Sequence, residues 1–307
     1  MEEFKVENGK AIIPEGTEVI PQDVFNGNTD LKIIEIPASV KEIETGAFAE
    51  CPGIETITVS DGNKKYNSPK GSNAIIERFK LVLGCKNTVI PPSQTLWEIG
   101  NLAFDNCYGL EKFEIPSSVK IIGDGAFFCC SGLKEINIPS SVKVIGYQAF
   151  LGTSLEHIEI PSSVTEIGGQ AFYSSGLEKI KIPSSVMTIG HEAFADCSRL
   201  KCVEFMSQDK FDIDNTAFKD SPITTIIVPE KTRDMYKTML PKELHGRIEE
   251  KTMISEEEIR LRVICAVLSG RFANKEYRPA NESERKKLVS DAITMADEVV
   301  LEMRQKE

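Results

Sequence analysis

The chain has 307 residues, of which 41% are hydrophobic and 27% are charged, and this composition excludes a disordered or collagen-like chain. Its 36 basic and 47 acidic residues give a formal net charge of −11. A net anion of this size disfavours nucleic acid and anionic membrane surfaces as principal partners. No apolar run reaches the about 20 residues that a membrane span needs, so we predict no membrane insertion.

One motif recurs along the chain, most clearly as LKEINIPSSVKVIGYQAF at residues 133–150. Each unit ends in a phenylalanine, and these recur every 22–24 residues apart from one gap of 56. The closing residues are Phe25, Phe48, Phe104, Phe127, Phe150, Phe172, Phe194 and Phe218. A fixed period of this length is typical of stacked repeats, so the sequence predicts a solenoid of about eight repeat units.

The residues of one unit predict the path of one coil. Ile136 and Ile138 alternate with polar residues, which indicates a strand, and Pro139 ends it. Ile145 and Phe150 then supply apolar side chains for the opposite side of the coil. A single coil of this length cannot enclose a core, but stacked coils can, because each unit rests on the same side chains of the next.

This pattern resembles the BspA-like leucine-rich repeat family, with its IPxSVxxIGxxAFxxCxxL signature, over about residues 10–229. The resemblance implies a leucine-rich-repeat solenoid with a parallel β-sheet along one face, and a binding scaffold rather than an enzyme. The family is typically bacterial and often displayed on cell surfaces for adhesion or host interaction. The start MEEFKVENGK lacks the features of a signal peptide, which predicts a cytoplasmic protein if Met1 is the native start. The alternative is a surface or secreted adhesin whose export signal is missing from this sequence.

The chain divides by composition into three parts. Residues 1–229 are the predicted solenoid, interrupted at about 60–91 by a hairpin-like insertion that is either a widened coil or a functional loop. Residues 230–248 are predicted to form a helical cap over the last coil. Residues 249–307 are predicted to form an α-helical hairpin.

The helical tail begins with a capping box, in which Ser255 is followed by Glu258. A second helix is predicted after Pro279. Its apolar positions are Leu288, Ala292, Met295, Val299 and Met303. Two interpretations stay open: an appendage packed on the solenoid, or a module that docks a partner or forms a homodimer through 249–307, because two short helices seldom bury both apolar faces alone.

Four cysteines, Cys51, Cys107, Cys130 and Cys197, each lie three residues after a repeat phenylalanine. The other units hold Asn28, Thr153, Ser175 and Ser221 at this position. Exchange with small residues indicates a tight packing position, so we predict buried free thiols. Stacking would also place Cys107 and Cys130 within disulfide range.

No pattern in the sequence indicates catalysis. His157, His191 and His245 are scattered, and we expect all three to be solvated surface residues. No cysteine or histidine spacing fits a zinc site, and we find no phosphate-binding or nucleophile-elbow motif. We therefore predict no catalytic residues, no cofactor and no metal.

The outward positions of each LxxIxI strand form two columns with one residue per coil, and we call these columns the strand face. Its candidate partner-binding residues are Lys112, Glu114, Glu135, Asn137, His157, Glu159, Lys179, Lys181 and Glu204. The charges alternate along Glu159, Lys181 and Glu204. This indicates either a solvated ladder of ion pairs, each contributing about 0.2–1 kcal/mol, or a binding face for a protein or a glycan.

Aromatic side chains are nearly absent from the strand face, which disfavours a glycan. Trp97, the single tryptophan, occupies a repeat position that usually holds Lys or Thr. It is either an exposed contact residue or a local packing partner of the insertion. The function that the sequence favours is non-catalytic recognition of a protein through the strand face, the helical tail, or both.

Overall fold

The computed structural model of the chain describes residues 3–251, 264 and 282–306. The chain forms two compact units, Met1–Lys251 and Thr252–Glu307. The strands of the first unit are, in chain order, β1 (Lys5–Glu7), β2 (Lys10–Ile12), β3 (Val19–Ile20), β4 (Ile33–Ile36), β5 (Glu42–Ile43), β6 (Thr56–Val59), β7 (Tyr66–Asn67), β8 (Ile75–Glu77), β9 (Lys80–Leu83), β10 (Glu98–Ile99), β11 (Ile121–Ile122), β12 (Val144–Ile145), β13 (Glu166–Ile167), β14 (Lys179–Ile182), β15 (Thr188–Ile189), β16 (Cys202–Phe205), β17 (Asp212–Ile213), β18 (Thr225–Pro229) and β19 (Ile248–Lys251).

The predicted solenoid is confirmed, and it has about eleven turns rather than eight. The LxxIxI segments form one side of the coils, which we call wall A. Wall A contains two four-stranded sheets, β1-β2-β4-β6 and β14-β16-β18-β19. Between them the segments run alongside one another with a single parallel bridge, Glu114 to Asn137.

A second wall, wall B, is formed by the segment V-x-x-I-G that follows the proline turn. Its nine-stranded sheet has the order β17-β15-β13-β12-β11-β10-β9-β8-β7 and is parallel from β9 to β17. Neighbouring coils approach so closely here that a Cβ on Gly146 would lie 2.7 Å from the carbonyl carbon of Gly123. Glycine at this repeat position therefore permits the stacking of wall B.

The closing phenylalanines stack in a column of rings that the insertion divides into two parts. From Phe104 to Phe218 the ring centroids of neighbouring coils lie 5.1–5.5 Å apart, and the ring planes differ by at most 9°. Each ring packs on its neighbour at a spacing slightly wider than the about 4.8 Å between neighbouring strands. Phe25 and Phe48 form a separate stacked pair before the insertion.

The insertion takes the place of one coil in the phenylalanine column. Strands β8 and β9 pair antiparallel, with Glu77 opposite Lys80. The Gly84 N–H then donates to the Ala103 carbonyl at 2.8 Å, as the Phe104 N–H donates to the Ala126 carbonyl at 2.8 Å. Gly84 thus stands where a repeat phenylalanine would stand, and the ring column is interrupted there.

The end of the solenoid is covered by helix α1 (Arg233–Met239), by a 3-10 helix at Lys242–Arg247 and by β19. Strand β19 pairs parallel with β18, so the sheet of wall A continues to Lys251. The predicted start of the helical tail at residue 249 falls inside this strand. Tyr236 of α1 is buried, and its hydroxyl donates to the Ser207 carbonyl at 2.9 Å.

The second unit contains helix α2 (Glu282–Lys306). Ala292, Ala296 and Val300 are buried at four-residue spacing, whereas Val289 and Ile293 are exposed. The predicted capping box at Ser255 and Glu258 lies outside the described residues.

Candidate recognition surface

The two columns of the strand face are present in the hydrogen-bonded register of wall A. Lys179 is opposite Cys202, and Lys181 is opposite Glu204. The next strand continues the columns, with Glu204 opposite Ile227. In these three strands, the side chains that the sequence assigned to one column therefore lie next to one another.

Most of the candidate residues are accessible to a partner. The exposed side chains are Lys112, Glu114, Glu135, Asn137, His157, Glu159 and Lys181. Lys179 is half-buried. Glu204 differs from the expectation of an outward, solvated residue, because only 4% of it is exposed.

Glu204 also pairs with a cation of the other column. The carboxylate of Glu204 lies 3.6 Å from the Lys179 ammonium group, which belongs to the other column of the preceding strand. Since a buried carboxylate is costly unless it is paired, this cation stabilises Glu204 in its position. Glu204 thus belongs to the framework of the surface.

The side chain three residues after the repeat phenylalanine forms a hydrogen bond in addition to its packing contacts. The thiols of Cys51, Cys130 and Cys197 each donate to the carbonyl of the repeat phenylalanine in the preceding coil. The sulfur–oxygen distances are 3.0 Å for Cys51 to Phe25, 3.0 Å for Cys130 to Phe104 and 3.1 Å for Cys197 to Phe172. The Ser221 hydroxyl makes the same bond to the Phe194 carbonyl at 2.7 Å. At position 221 serine therefore replaces cysteine with the same hydrogen bond, whereas the Ser175 hydroxyl bonds to the Cys197 sulfur at 3.3 Å.

The seven cysteines of the described residues are free, Cys107 and Cys130 among them. Burial raises the pKa of the Cys51 thiol to about 11 and that of Cys107 to about 12. Because the thiolate is the reactive species, we expect iodoacetamide at pH 8 to leave both residues unmodified in the folded protein. Peptide mass spectrometry after native labelling checks this, with labelling in urea as the positive control. Alkylation of Cys107 at the rate of a free thiol would contradict it.

Asp105 joins the coils on either side of the insertion. In other coils the turn amide after the phenylalanine donates to a carbonyl of the next coil, as Gly27 does to Ala49 at 3.0 Å. The coil of Glu50 is followed by the insertion rather than by a regular coil. The Glu50 amide donates instead to the Asp105 carboxylate at 2.7 Å. Burial raises the pKa of Asp105, although its hydrogen bonds oppose that shift.

We expect Asp105→Asn and Asp105→Ala to differ in their pH dependence. The pKa of Asp105 is higher in the folded state than in the unfolded state. Its contribution to stability is therefore fully present below the unfolded pKa and is lost as the pH rises through the folded pKa. Asp105→Asn keeps an acceptor oxygen without the charge, so it should be at least as stable as wild type at pH 7 and lose that advantage towards pH 4. Asp105→Ala lacks the acceptor and should lose about 0.5–1.5 kcal/mol throughout.

Urea denaturation of the three proteins from pH 4 to pH 7 measures these differences. An Asp105→Asn protein that is as unstable as Asp105→Ala at pH 7 would show that the charge itself is required.

Trp97 is both exposed and packed on the insertion. It is 48% exposed, and its ring stacks on Phe79 of the insertion with centroids 4.1 Å apart. Phe79 itself was not singled out by sequence reasoning, because the insertion breaks the repeat register that identifies equivalent positions.

No group of three potential metal ligands is present in the part of the chain that the structure describes. His157 is exposed on wall A, the His191 ring lies beside Tyr147, and His245 bonds to the Leu240 carbonyl at 2.9 Å. An open depression of about 390 Å³ lies at the N-terminal end. It is lined by Val6, Asn8, Gly9, Asn28, Asp30 and Lys32.

Two solved structures resemble this architecture. A leucine-rich cell surface protein from Faecalibacterium prausnitzii is 27% identical, with a TM-score of 0.54, and the match covers 74% of this chain and 55% of that protein. The pneumococcal vaccine antigen PcpA is 20% identical, with a TM-score of 0.52, and the match covers 73% and 56%. The chain therefore spans little more than half the length of these two relatives. No curated protein matches it.

No helix among the described residues has the length and apolar character that crossing a lipid bilayer requires. The family profile described as BspA type leucine-rich repeat region matches residues 4–70, 77–176 and 128–242, in six copies. These matches extend over most of the solenoid and include the repeat signature, the ring column and both walls. The chain belongs to the BspA-type leucine-rich repeat family.

Proposed function

We propose that this chain is a non-catalytic recognition scaffold that binds a protein partner through the strand face. The observation that supports it is the exposure of seven of the nine candidate side chains on successive coils of wall A, between Lys112 and Lys181. Solenoids commonly bind partners along such extended surfaces. The mixture of acidic, basic and amide groups suits a protein surface with complementary charges.

A surface or secreted location is the setting we propose for this interaction. The Faecalibacterium prausnitzii relative is described as a cell surface protein, and this likeness supports an adhesin or host-interaction role. The cytoplasmic prediction has no support from the relatives.

Charge reversal on the strand face tests the proposal. The variant Glu135→Lys, Glu159→Lys, Lys181→Glu changes three exposed groups and leaves the buried Glu204 intact. Immobilised full-length protein should capture a partner from host-cell surface extracts, identified by mass spectrometry, and the triple variant should lose it. Glu166→Lys, an exposed change on wall B, is the matched control and should retain capture. Equal capture by the triple variant would exclude the strand face.

Self-association through the helical tail is a second proposal. Helix α2 exposes Val289, Ile293, Met295 and Val299. A second copy of this helix would bury such side chains. Light scattering of the full chain should therefore give a dimer, and Ile293→Glu with Val299→Glu should give a monomer. Identical masses for the two proteins would exclude this interface.

A further inference from the structure

Wall B has an exposed apolar cluster that the strand face lacks. Phe79 and Trp97 lie on successive coils, joined by a 2.7 Å hydrogen bond from the Trp97 N–H to the Phe79 carbonyl. Although their rings stack on each other, Phe79 is 42% exposed and Trp97 is 48% exposed. Ile121, whose strand neighbour Glu98 adjoins Trp97, is 41% exposed. A clustered apolar surface with a tryptophan is typical of an interaction site.

Two lysines continue the column that begins with these rings. The Lys120 N–H donates to the Trp97 carbonyl, and the Lys143 N–H donates to the Lys120 carbonyl, each at 2.8 Å. The Lys120 ammonium group lies 5.6 Å from the centroid of the Trp97 ring, which is a cation–π contact. Phe79, Trp97, Lys120 and Lys143 therefore stand on four successive coils.

The charges of these two lysines are not balanced within the described part of the chain, where no carboxylate is within ion-pair distance of either one. Two other lysines of wall B do have a glutamate on the adjoining coil: Lys41 pairs with Glu18, and Lys80 pairs with Glu98 at 2.7 Å. Like charges on adjacent strands destabilise a sheet. In a chain of net charge −11, this uncompensated pair indicates a carboxylate-bearing ligand.

The geometry of the rings selects the class of ligand. Phe79 covers one face of the Trp97 indole, and the Lys120 ammonium group reaches the ring from the coil on the other side. Because Phe79 already stacks on one face of the indole, a sugar would find only the face near the Lys120 ammonium group for stacking. The exposed ring edges and Ile121 are instead accessible to aliphatic or aromatic side chains of a peptide.

We propose that Phe79, Trp97, Lys120, Ile121 and Lys143 form a docking site, the Trp97 site, for an acidic segment of a protein partner. Carboxylates of that segment pair with the two lysines, and its apolar side chains contact the rings and Ile121. The Trp97 site lies on wall B, whereas the strand face lies on wall A, so this inference adds a second recognition surface to the proposed function.

Because the chain has a single tryptophan, its fluorescence reports directly on binding at the Trp97 site. A short synthetic peptide of alternating Glu and Leu should change the Trp97 emission of the full chain saturably. Added salt should weaken the binding, because exposed ion pairs are screened. A Lys–Leu peptide and an oligogalacturonate should cause no saturable change.

Variants assign the binding to the individual side chains. By fluorescence anisotropy of the labelled Glu–Leu peptide, Trp97→Ala and the pair Lys120→Glu with Lys143→Glu should each weaken binding at least about ten-fold, the effect expected of a central contact residue. Met187→Ala removes a 66% exposed side chain farther along wall B and should change the affinity less than two-fold. The strand-face triple variant should bind the peptide as wild type does, which separates this test from that of the proposed function.

Three results would overturn the Trp97 site. One is the lack of a saturable response to the Glu–Leu peptide, and another is binding that survives both the Trp97 and the lysine changes. The third is binding of oligogalacturonate in place of the peptide, which would identify an acidic-glycan site.

Discussion

Phe150→Ala should lower the free energy of unfolding by about 3–5 kcal/mol, the cost of removing a fully buried aromatic ring from a core. The Phe150 ring is inaccessible to solvent and lies 5.2 Å from that of Phe127 and 5.3 Å from that of Phe172. Alanine would leave a cavity between two rings that the backbone holds at the coil spacing. Because both walls fix this spacing, we expect little collapse and a cost near the upper end of that range.

Chemical denaturation of the full chain, followed by far-UV circular dichroism, measures the effect. Tyr147→Ala is the matched control in the same coil, since Tyr147 is 41% exposed and its loss should cost less than about 1 kcal/mol. Phe150→Leu keeps most of the buried volume and should fall between the two. A loss below 1 kcal/mol for Phe150→Ala would mean that the ring column does not stabilise the solenoid.

Gly84→Ala should destabilise the protein by about 1–3 kcal/mol or more, although it adds only one methyl group. A Cβ at this position would lie 2.3 Å from Cε1 of Phe104. The Phe104 ring cannot move away readily, because it packs against Phe113 at 4.7 Å and Phe127 at 5.1 Å. The insertion therefore requires a residue without a side chain where every regular coil has its phenylalanine.

A double-mutant cycle separates this clash from a general intolerance of alanine. Gly84→Ala combined with Phe104→Leu should cost less than the sum of the single changes, since the smaller side chain relieves the overlap. Gly246→Ala is the matched control, because no atom lies within 4 Å of its added Cβ. Chemical denaturation of wild type, the two single variants and the double variant gives the coupling energy. Strict additivity of the two single changes would contradict the proposed contact.

The repeat period was enough to predict the solenoid and the ring column, because each closing phenylalanine marks one coil. Wall B was not predicted as a sheet. Apart from β8 and β9 of the insertion, its strands, such as Val144–Ile145, are two residues long and too short to show a period-two pattern. Their regularity comes from the stacking of whole coils rather than from any local propensity.

The candidate surface was predicted less completely than the fold. Alternation correctly gave the direction of exposed residues such as Glu159 and Lys181, but it gives no information on what covers a side chain, and so the burial of Glu204 was missed. The cysteine position was recognised from its exchange with serine. Its donation to the carbonyl of Phe25 or Phe104 needed the geometry of two neighbouring coils.

Native-state hydrogen exchange tests most directly the claim that stacked coils share one core and one hydrogen-bonded ladder. The amides of Phe127, Phe150 and Phe172 donate to carbonyls of the next coil at 2.7–2.8 Å. They should belong to the slowest class and exchange only through the opening that unfolds the solenoid. Exchange of these three amides within minutes, at the rate of solvent-exposed turns, would contradict a continuous stacked core.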